Sequence, residues 1–542
     1  MKTKFQVLFS KYPVFFIITI IFIVSLFQLN SWGITESSEA RYAQIAKEMF
    51  ESGNYMHPTK MGIYHYHKPP LTYYITTLGY YLFGENEFGA RFFLSVALLI
   101  QLILVYKTSL LLFNDKKTTL LATVLYFSTP LVLASVRNLT TDAFLNTFIL
   151  MAIYFWLRYL DNKKIFLLFY ISLGLGFLTK GPLVLIPILV FQSTWYLYHK
   201  IRVKLSIYDL IGIIIFFVLC GWWYLIIIQE NPMIWDYFIK NQLYGRMATK
   251  DAFSRGKPFW YYFVFVPLSL LPWLVYIFFS FTKNQKKDAN SIKKKALLIS
   301  FLLIIFIFSA FKTKLIFYIL PSLFLIVLYS SDQLKNIHES LWRKLTFYLY
   351  GYFSLILIVA SVAMALHKIE VSLVAIIVLF LGLLISVFFL KNTDWFHKNI
   401  YTLLLNTLAI LVFSTYIMKS NELLINSVKP VATFVNSLKS NNVYVYNYLL
   451  PSMCFYTNKN VITLNNGNST SKKEVQFEQN LNYLKTYYNL EEKNEISRFG
   501  ANFKTNDAVF LVRKKEKLPD YIKTKLQFRH QKYFKKWVLY YN

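Results

Sequence analysis

Three carboxylates stand where an apolar chain meets water, and each could take the proton of a hydroxyl nucleophile, as a general base does. Glu36 and Glu39 lie just beyond the first apolar stretch, three residues apart, which puts them on one face of a helix. Either reads equally as a first-turn acid drawn to the positive end of the helix dipole. Asp142 closes the run Asn138-Leu139-Thr140-Thr141-Asp142 at the lip of another apolar stretch, as a helix cap or as the acid of a polar cavity. His65 and His67 flank Tyr66, so an extended segment turns both imidazoles to one side. They offer two ligands to a divalent ion with no third indicated, which leaves His67 a weak candidate and no metal site assigned. No Walker loop, dinucleotide glycine fingerprint or Gly-x-Ser-x-Gly elbow is present, which removes the common nucleotide-driven and serine-hydrolase readings.

Membrane helices must position these groups. Hydrophobic residues are 56% of the chain and charged residues 16%, against roughly 45–50% and about 25% in soluble domains, so the excess apolar surface needs lipid. Stretches of spanning length, about thirteen in all, run from 12–29 to 401–418 and include 119–135, 165–177 and 182–198. A net charge of +31 on a soluble chain would suggest nucleic acid. Here every second loop is basic, the pattern by which Lys and Arg mark the cytoplasmic side, so no nucleic-acid partner is implied. Threading from Lys2, Lys4 and Lys11 puts the N-terminus in the cytoplasm and, with an odd number of spans, the tail outside. Lys68, Lys180, Arg246, Arg255, Lys312 and Lys314 then break the rule. They either snorkel to headgroups or line an outer anion site for phosphate or pyrophosphate.

The composition divides the chain at residue 418. Residues 1–418 read as an all-α transmembrane domain with an outer loop, 30–87, that opens on a helical pattern from Glu36 to Ser52. Residues 419–542 read as a small α/β domain on the outer side, with strands at 442–448, 461–464 and 508–513 and helices at 428–438 and 475–488. Its basic, aromatic end, 523–541, suits anionic headgroups. Cys220 lies in an apolar run and Cys454 in the polar tail, so a disulfide between them is not expected.

Several motifs occur in a telling order: Glu36-Ser-Ser-Glu39-Ala-Arg41-Tyr42, Gly53-Asn54-Tyr55, Lys68-Pro69-Pro70, Thr141-Asp142, Leu178-Thr-Lys180-Gly181-Pro182, Leu271-Pro272-Trp273, and Lys314-Leu315 with Tyr318-Ile-Leu-Pro321. As a set they resemble the GT-C glycosyltransferases of the ArnT-like (4-amino-4-deoxy-L-arabinose transferase) and dolichyl-phosphate-mannose protein mannosyltransferase superfamily. The resemblance implies a GT-C fold that moves a sugar from a polyprenyl phosphate, with inversion, at the outer face of the cytoplasmic membrane. The implied acceptor is a hydroxyl of a lipid A-like lipid, a glycan or a protein. In that family a first-loop acid activates the acceptor, an acid matching Asp142 assists, and basic residues hold the departing phosphate. The aminoarabinose transferases' aspartate falls on Ser38 here, so the resemblance passes the base role to Glu39, with Glu36 second. Lys68, Lys180, Arg246, Arg255, Lys314 and Tyr318 become the implied donor-phosphate site. The glutamate of some relatives' metal site falls on His67 and their histidine near Arg255. The residues themselves agree that no cofactor is required, because cations alone can stabilise a leaving phosphate. A rival reading is a transporter or flippase of lipid-linked saccharide, which would carry internal repeats and mid-membrane ionisable groups.

Overall fold

A computed structural model describes residues 13–245, 256–282, 290–366, 369–478 and 482–542. The chain forms two compact units, one of residues 1–29 and 92–417 and one of residues 30–91 and 418–542. The expected division at residue 418 therefore needs correction, since the first outer loop packs with the C-terminal domain.

The first unit is helical. Among the described residues seven helices are long and apolar enough to cross a membrane, or eight if the pair Tyr261–Ser269 and Leu274–Phe281, bent by 101°, is one span. Pro13–Ser25 and Leu373–Phe388 are shorter apolar helices. The expected number of about thirteen is not reached on this criterion of spanning length. Expected span 119–135 is divided between Lys116–Phe127 and Pro130–Ser135, because Pro130 has no N–H to continue a helix. Expected spans 165–177 and 182–198 join into one helical run, Lys163–His199, with a 3₁₀ turn at Gly181–Val184. Helix Leu320–Leu334 is buried on all sides, the signature of a core helix. Helix Ile207–Glu230 instead leaves Ile214, Phe217, Val218 and Leu225 exposed, a surface suited to lipid. This is a multi-pass membrane protein.

The second unit contains helix Ser38–Ser52, a two-stranded hairpin (β1, Thr59–Lys60; β2, Ile63–Tyr64) and helix Leu71–Phe83 from the outer loop. Its sheet has the order β5-β4-β3-β6-β8-β7. The strands are β3 Asn442–Tyr446, β4 Asn460–Asn465, β5 Tyr487–Asn489, β6 Ala508–Arg513, β7 His530–Phe534 and β8 Trp537–Tyr541. The first four are parallel and the last two pairings antiparallel. Alternation along β3 sends Val443 and Val445 into one apolar core and Tyr444 and Tyr446 into another, so the parallel strands are covered on both faces. Met61 and Ile63 of the outer loop complete the first core. That shared core is the physical reason the loop and the tail form one unit.

One tail element differs from expectation: the proposed helix 475–488 holds 3₁₀ turns and strand β5. The basic end 523–541 holds the hairpin β7–β8. Strands β3, β4 and β6 fall where alternating and apolar runs put them.

Candidate functional site

In the membrane unit, Asp142 and Lys180 form a buried ion pair between Oδ1 and Nζ. Asp142 is in the first turn of helix Thr141–Asp161, whose cap is Thr140, accepting the Asp142 N–H at 3.3 Å. Capping therefore does not account for the aspartate. Lys180 is the last residue of helix Phe166–Lys180 rather than a loop cation, and its Nζ lies 5.1 Å from the ring centre of buried Tyr318. The carboxylate neutralises the ammonium, which is why the lysine can be enclosed among apolar helices. Asp142 and Tyr318 line a narrow cleft with Asn146, Ile149, Phe308 and Phe317. The cleft admits about 10 Å³, room for one water, so a sugar enters only if it widens.

Below Asp142 a locked amide network sets the polarity of that cleft. Gln101 Nε2 donates to the Ala143 carbonyl at 3.0 Å, which accepts only, so Gln101 Oε1 must face the other way. It accepts from Tyr126 Oη at 2.7 Å and Asn146 Nδ2 at 3.2 Å. Asn146 is thereby left with a buried Oδ1 that has no partner among the described residues. Sequence reasoning passed over these three residues, which read as ordinary polar positions in apolar helices.

Lys314 is also buried, its Nζ held by the carbonyls of Lys257, at 3.1 Å, and Phe311. Arg246 and Arg255 lie outside the described residues. Lys312 is exposed.

The acids of the outer unit separate sharply. Glu39, 1% exposed, is clamped by Arg91: Nε reaches Oε1 at 2.8 Å and Nη2 reaches Oε2 at 3.0 Å. Oε2 also accepts from the N–H and hydroxyl of Thr35, at 2.8 and 2.9 Å. Arg91 is completely buried, donates to the carbonyls of Trp32 and Gly33, and stacks 4.2 Å from the Trp32 ring centre. Glu39, the expected base, thus has both oxygens held by fixed donors. It joins the segment before its helix to the start of helix Glu87–Phe113.

Glu36 contrasts with it. Its Oε1 accepts the Ser452 N–H, at 2.9 Å, while Oε2 is enclosed with no hydrogen-bond partner among the described residues. The backbone is pinned on both sides, Glu36 N–H to the Asn426 carbonyl at 2.9 Å and Asn426 Nδ2 to the Glu36 carbonyl at 3.2 Å. Burial raises its pKa to about 7, against the opposing pull of the Ser452 hydrogen bonds, Lys60 and Arg41. A carboxyl that titrates near neutrality with one oxygen uncommitted is the more capable base of the two.

His65 and His67 meet Glu474 of the tail, which sequence reasoning also missed. Their ligand atoms lie within 4.8 Å of one another, a donor set of composition suited to a divalent ion. Burial lowers both imidazole pKa values, so the rings are neutral at pH 7. Glu474 Oε2 is 3.1 Å from His65 Nδ1, 3.3 Å from His67 Nε2 and 2.8 Å from Lys60 Nζ. Burial would push Glu474 up, but Lys60 and the two imidazoles together hold it well below the usual carboxylate range. The Lys60 ammonium thus lies where an ion's charge would act. Lys68 is half-buried in the turn before helix Leu71–Phe83.

The whole fold is that of two crystal structures of ArnT from Cupriavidus metallidurans. The form bound to undecaprenyl phosphate matches with a TM-score of 0.77 at 17% identity over 97% of each chain, and the apo form with 0.77 at 15% over 98% of each. Residues 67–224 match the family described as dolichyl-phosphate-mannose-protein mannosyltransferase. A Proteus mirabilis protein named undecaprenyl phosphate-alpha-4-amino-4-deoxy-L-arabinose arabinosyl transferase 1 is 31% identical over 313 residues, 56% of each chain. A Yersinia enterocolitica protein of the same type is 30% identical over 58% of this chain and 59% of its own length. The chain thus aligns with little more than half the length of these curated relatives. The chain is thus similar to the ArnT-like transferases and, over residues 67–224, to the protein mannosyltransferases.

Proposed function

We propose that this protein is an inverting glycosyltransferase that moves a sugar from a polyprenyl-phosphate donor to a hydroxyl of a lipid A-like lipid, a glycan or a protein. The reaction takes place at the outer face of the bacterial cytoplasmic membrane, with the N-terminus inside and the second unit outside. The observation that carries this reading is Glu36, an enclosed carboxyl poised near pH 7 in a chain whose relatives are named for undecaprenyl-phosphate sugar transfer. Glu36 takes the acceptor's proton as the oxygen attacks the anomeric carbon. The bond to the phosphate breaks on the opposite face, its electron pair leaves with the phosphate, and the sugar inverts. Stabilisation of the departing charge is assigned to Lys180, Lys314, Lys68, Arg246 and Arg255, with Tyr318, as the resemblance implies. Asp142 fixes Lys180.

The test is donor consumption by the purified protein, with synthetic polyprenyl phosphates carrying a pentose, a hexose or an amino sugar. Mass spectrometry of envelope lipids, glycans and proteins from cells with and without the gene identifies the acceptor. Failure to consume any of these donors under conditions that keep the protein folded would reject the reading. Lys180→Met should lower kcat/KM by roughly 10–10²-fold, the loss of one charge-assisted contact. Unchanged kinetics would remove Lys180 from the phosphate site.

Lys60 supplies the positive charge at the His65, His67 and Glu474 cluster, and the transfer needs no divalent ion. Chelation should leave turnover unchanged, whereas Lys60→Met frees two neutral imidazoles and a carboxylate to bind Zn²⁺, measurable by elemental analysis. Inactivation by chelator, reversed by added metal, would overturn this assignment.

A further inference from the structure

The C-terminal hairpin carries a second, unassigned surface. Strands β7 and β8 are joined by the two-residue turn Lys535-Lys536, since Phe534 already faces Trp537. Beside it, Lys514 follows the end of β6 and its N–H donates to the Lys536 carbonyl at 3.0 Å. Lys514, Lys515, Lys532, Lys535 and Lys536 are all exposed. None of the five forms an ion pair among the described residues. In their midst Tyr533 is 60% exposed, with the Lys514 ammonium 5.4 Å from its ring centre.

A solvated lysine face would explain the charges alone. Two further facts point to lipid. An exposed tyrosine among lysines is the combination that settles at the headgroup level of a bilayer, ring toward the apolar boundary and ammonium groups toward phosphate. Chain connection also ties the turn to a membrane-length helix. Helix Trp395–Ser420 has the length and composition of a span, and its last residues, 418–420, belong to this same unit. The chain then folds tightly, Ser427 N–H to the Glu422 carbonyl at 2.8 Å, and Lys536 Nζ lies 3.5 Å from Asn426 Oδ1. The basic turn is thus tied to a residue six positions beyond the end of a membrane-length helix.

We propose that the Lys535-Lys536 turn, with Lys514, Lys532 and Tyr533, docks on anionic phospholipid headgroups at the bilayer surface. The patch lies outside the transfer chemistry and does not depend on it.

The experiment uses the full chain in nanodiscs, with an environment-sensitive fluorophore on Tyr533→Cys after Cys220 and Cys454 are replaced by alanine. In discs containing phosphatidylglycerol the emission should shift to the blue relative to phosphatidylcholine discs. The shift should shrink as salt rises from about 0.05 to about 0.5 M, where screening shortens to a few ångströms. The triple variant Lys514→Glu, Lys535→Glu, Lys536→Glu should lose it while keeping the thermal transition of the parent. Equal emission in the two lipids overturns the proposal. So does the same shift produced in phosphatidylcholine discs by inorganic phosphate, which would mark a site for free anions.

Discussion

Glu36→Gln should lower kcat by 10²–10⁴-fold, the usual contribution of a positioned general base, while donor binding persists. Glutamine keeps the size of the side chain and still accepts the Ser452 N–H, so the variant removes the basic oxygen and little else. The wild-type rate should rise as pH passes through about 7, because burial holds the proton on Glu36 up to that point and only the carboxylate can accept another. The residual rate of the variant should lack that limb. Lys60, Arg41, Tyr448 and the Ser452 hydrogen bonds act on this carboxyl. Stability should move the other way. A carboxyl whose folded pKa is raised above 4.5 makes the unfolded state release its proton first, so wild-type stability falls as pH climbs from about 4.5 to about 7. The glutamine variant escapes that loss. A variant that turned over at the wild-type rate would remove Glu36 from the chemistry.

The choice between Glu36 and Glu39 shows where sequence reasoning stops. Spacing put both on one helical face and made them equivalent, and the resemblance favoured Glu39. What separates them is Arg91, which reads in the sequence only as a flanking charge at the start of an apolar stretch. Its partner lies 52 residues earlier, beyond the reach of any local pattern. The same holds for Glu474, which ends a short lysine-rich helix and looks solvated until the fold brings it to His65, 409 residues away. By contrast Asp142 and Lys180 drew attention in the sequence, because ionisable residues at the ends of apolar helices are costly and need a reason. Their pairing came from packing, since helices Thr141–Asp161 and Phe166–Lys180 bring residues 38 apart together. The tail strands were legible where both faces are buried, as in β3, which reads as a continuous apolar run. Strand β5, Tyr487–Asn489, was not, being short, tyrosine-rich and flanked by polar turns that also fit a helix.

Arg91→Ala should cost the outer unit about 3–5 kcal/mol, the penalty of leaving one member of a buried ion pair without its partner. Thr35 supplies Glu39 with two hydrogen bonds but no charge. The carbonyls of Trp32 and Gly33 would also lose their donor, and the Trp32 ring its stacked cation. A melting transition lowered by several degrees, with wild-type kcat in the fraction that stays folded, is the expected result. Glu39→Gln should be milder, since the amide still accepts from Thr35 while Arg91 is left with a neutral partner. Combining the two changes should cost less than the sum of each alone, because the second removes a charge the first has already stranded. The cycle also separates structure from chemistry. If Glu39→Gln melted like the wild type and yet lost transfer, Glu39 would act on the substrate after all, and the Arg91 clamp would have to open during turnover. If transfer survives in proportion to folded protein, the pair is a brace and the proton passes to Glu36.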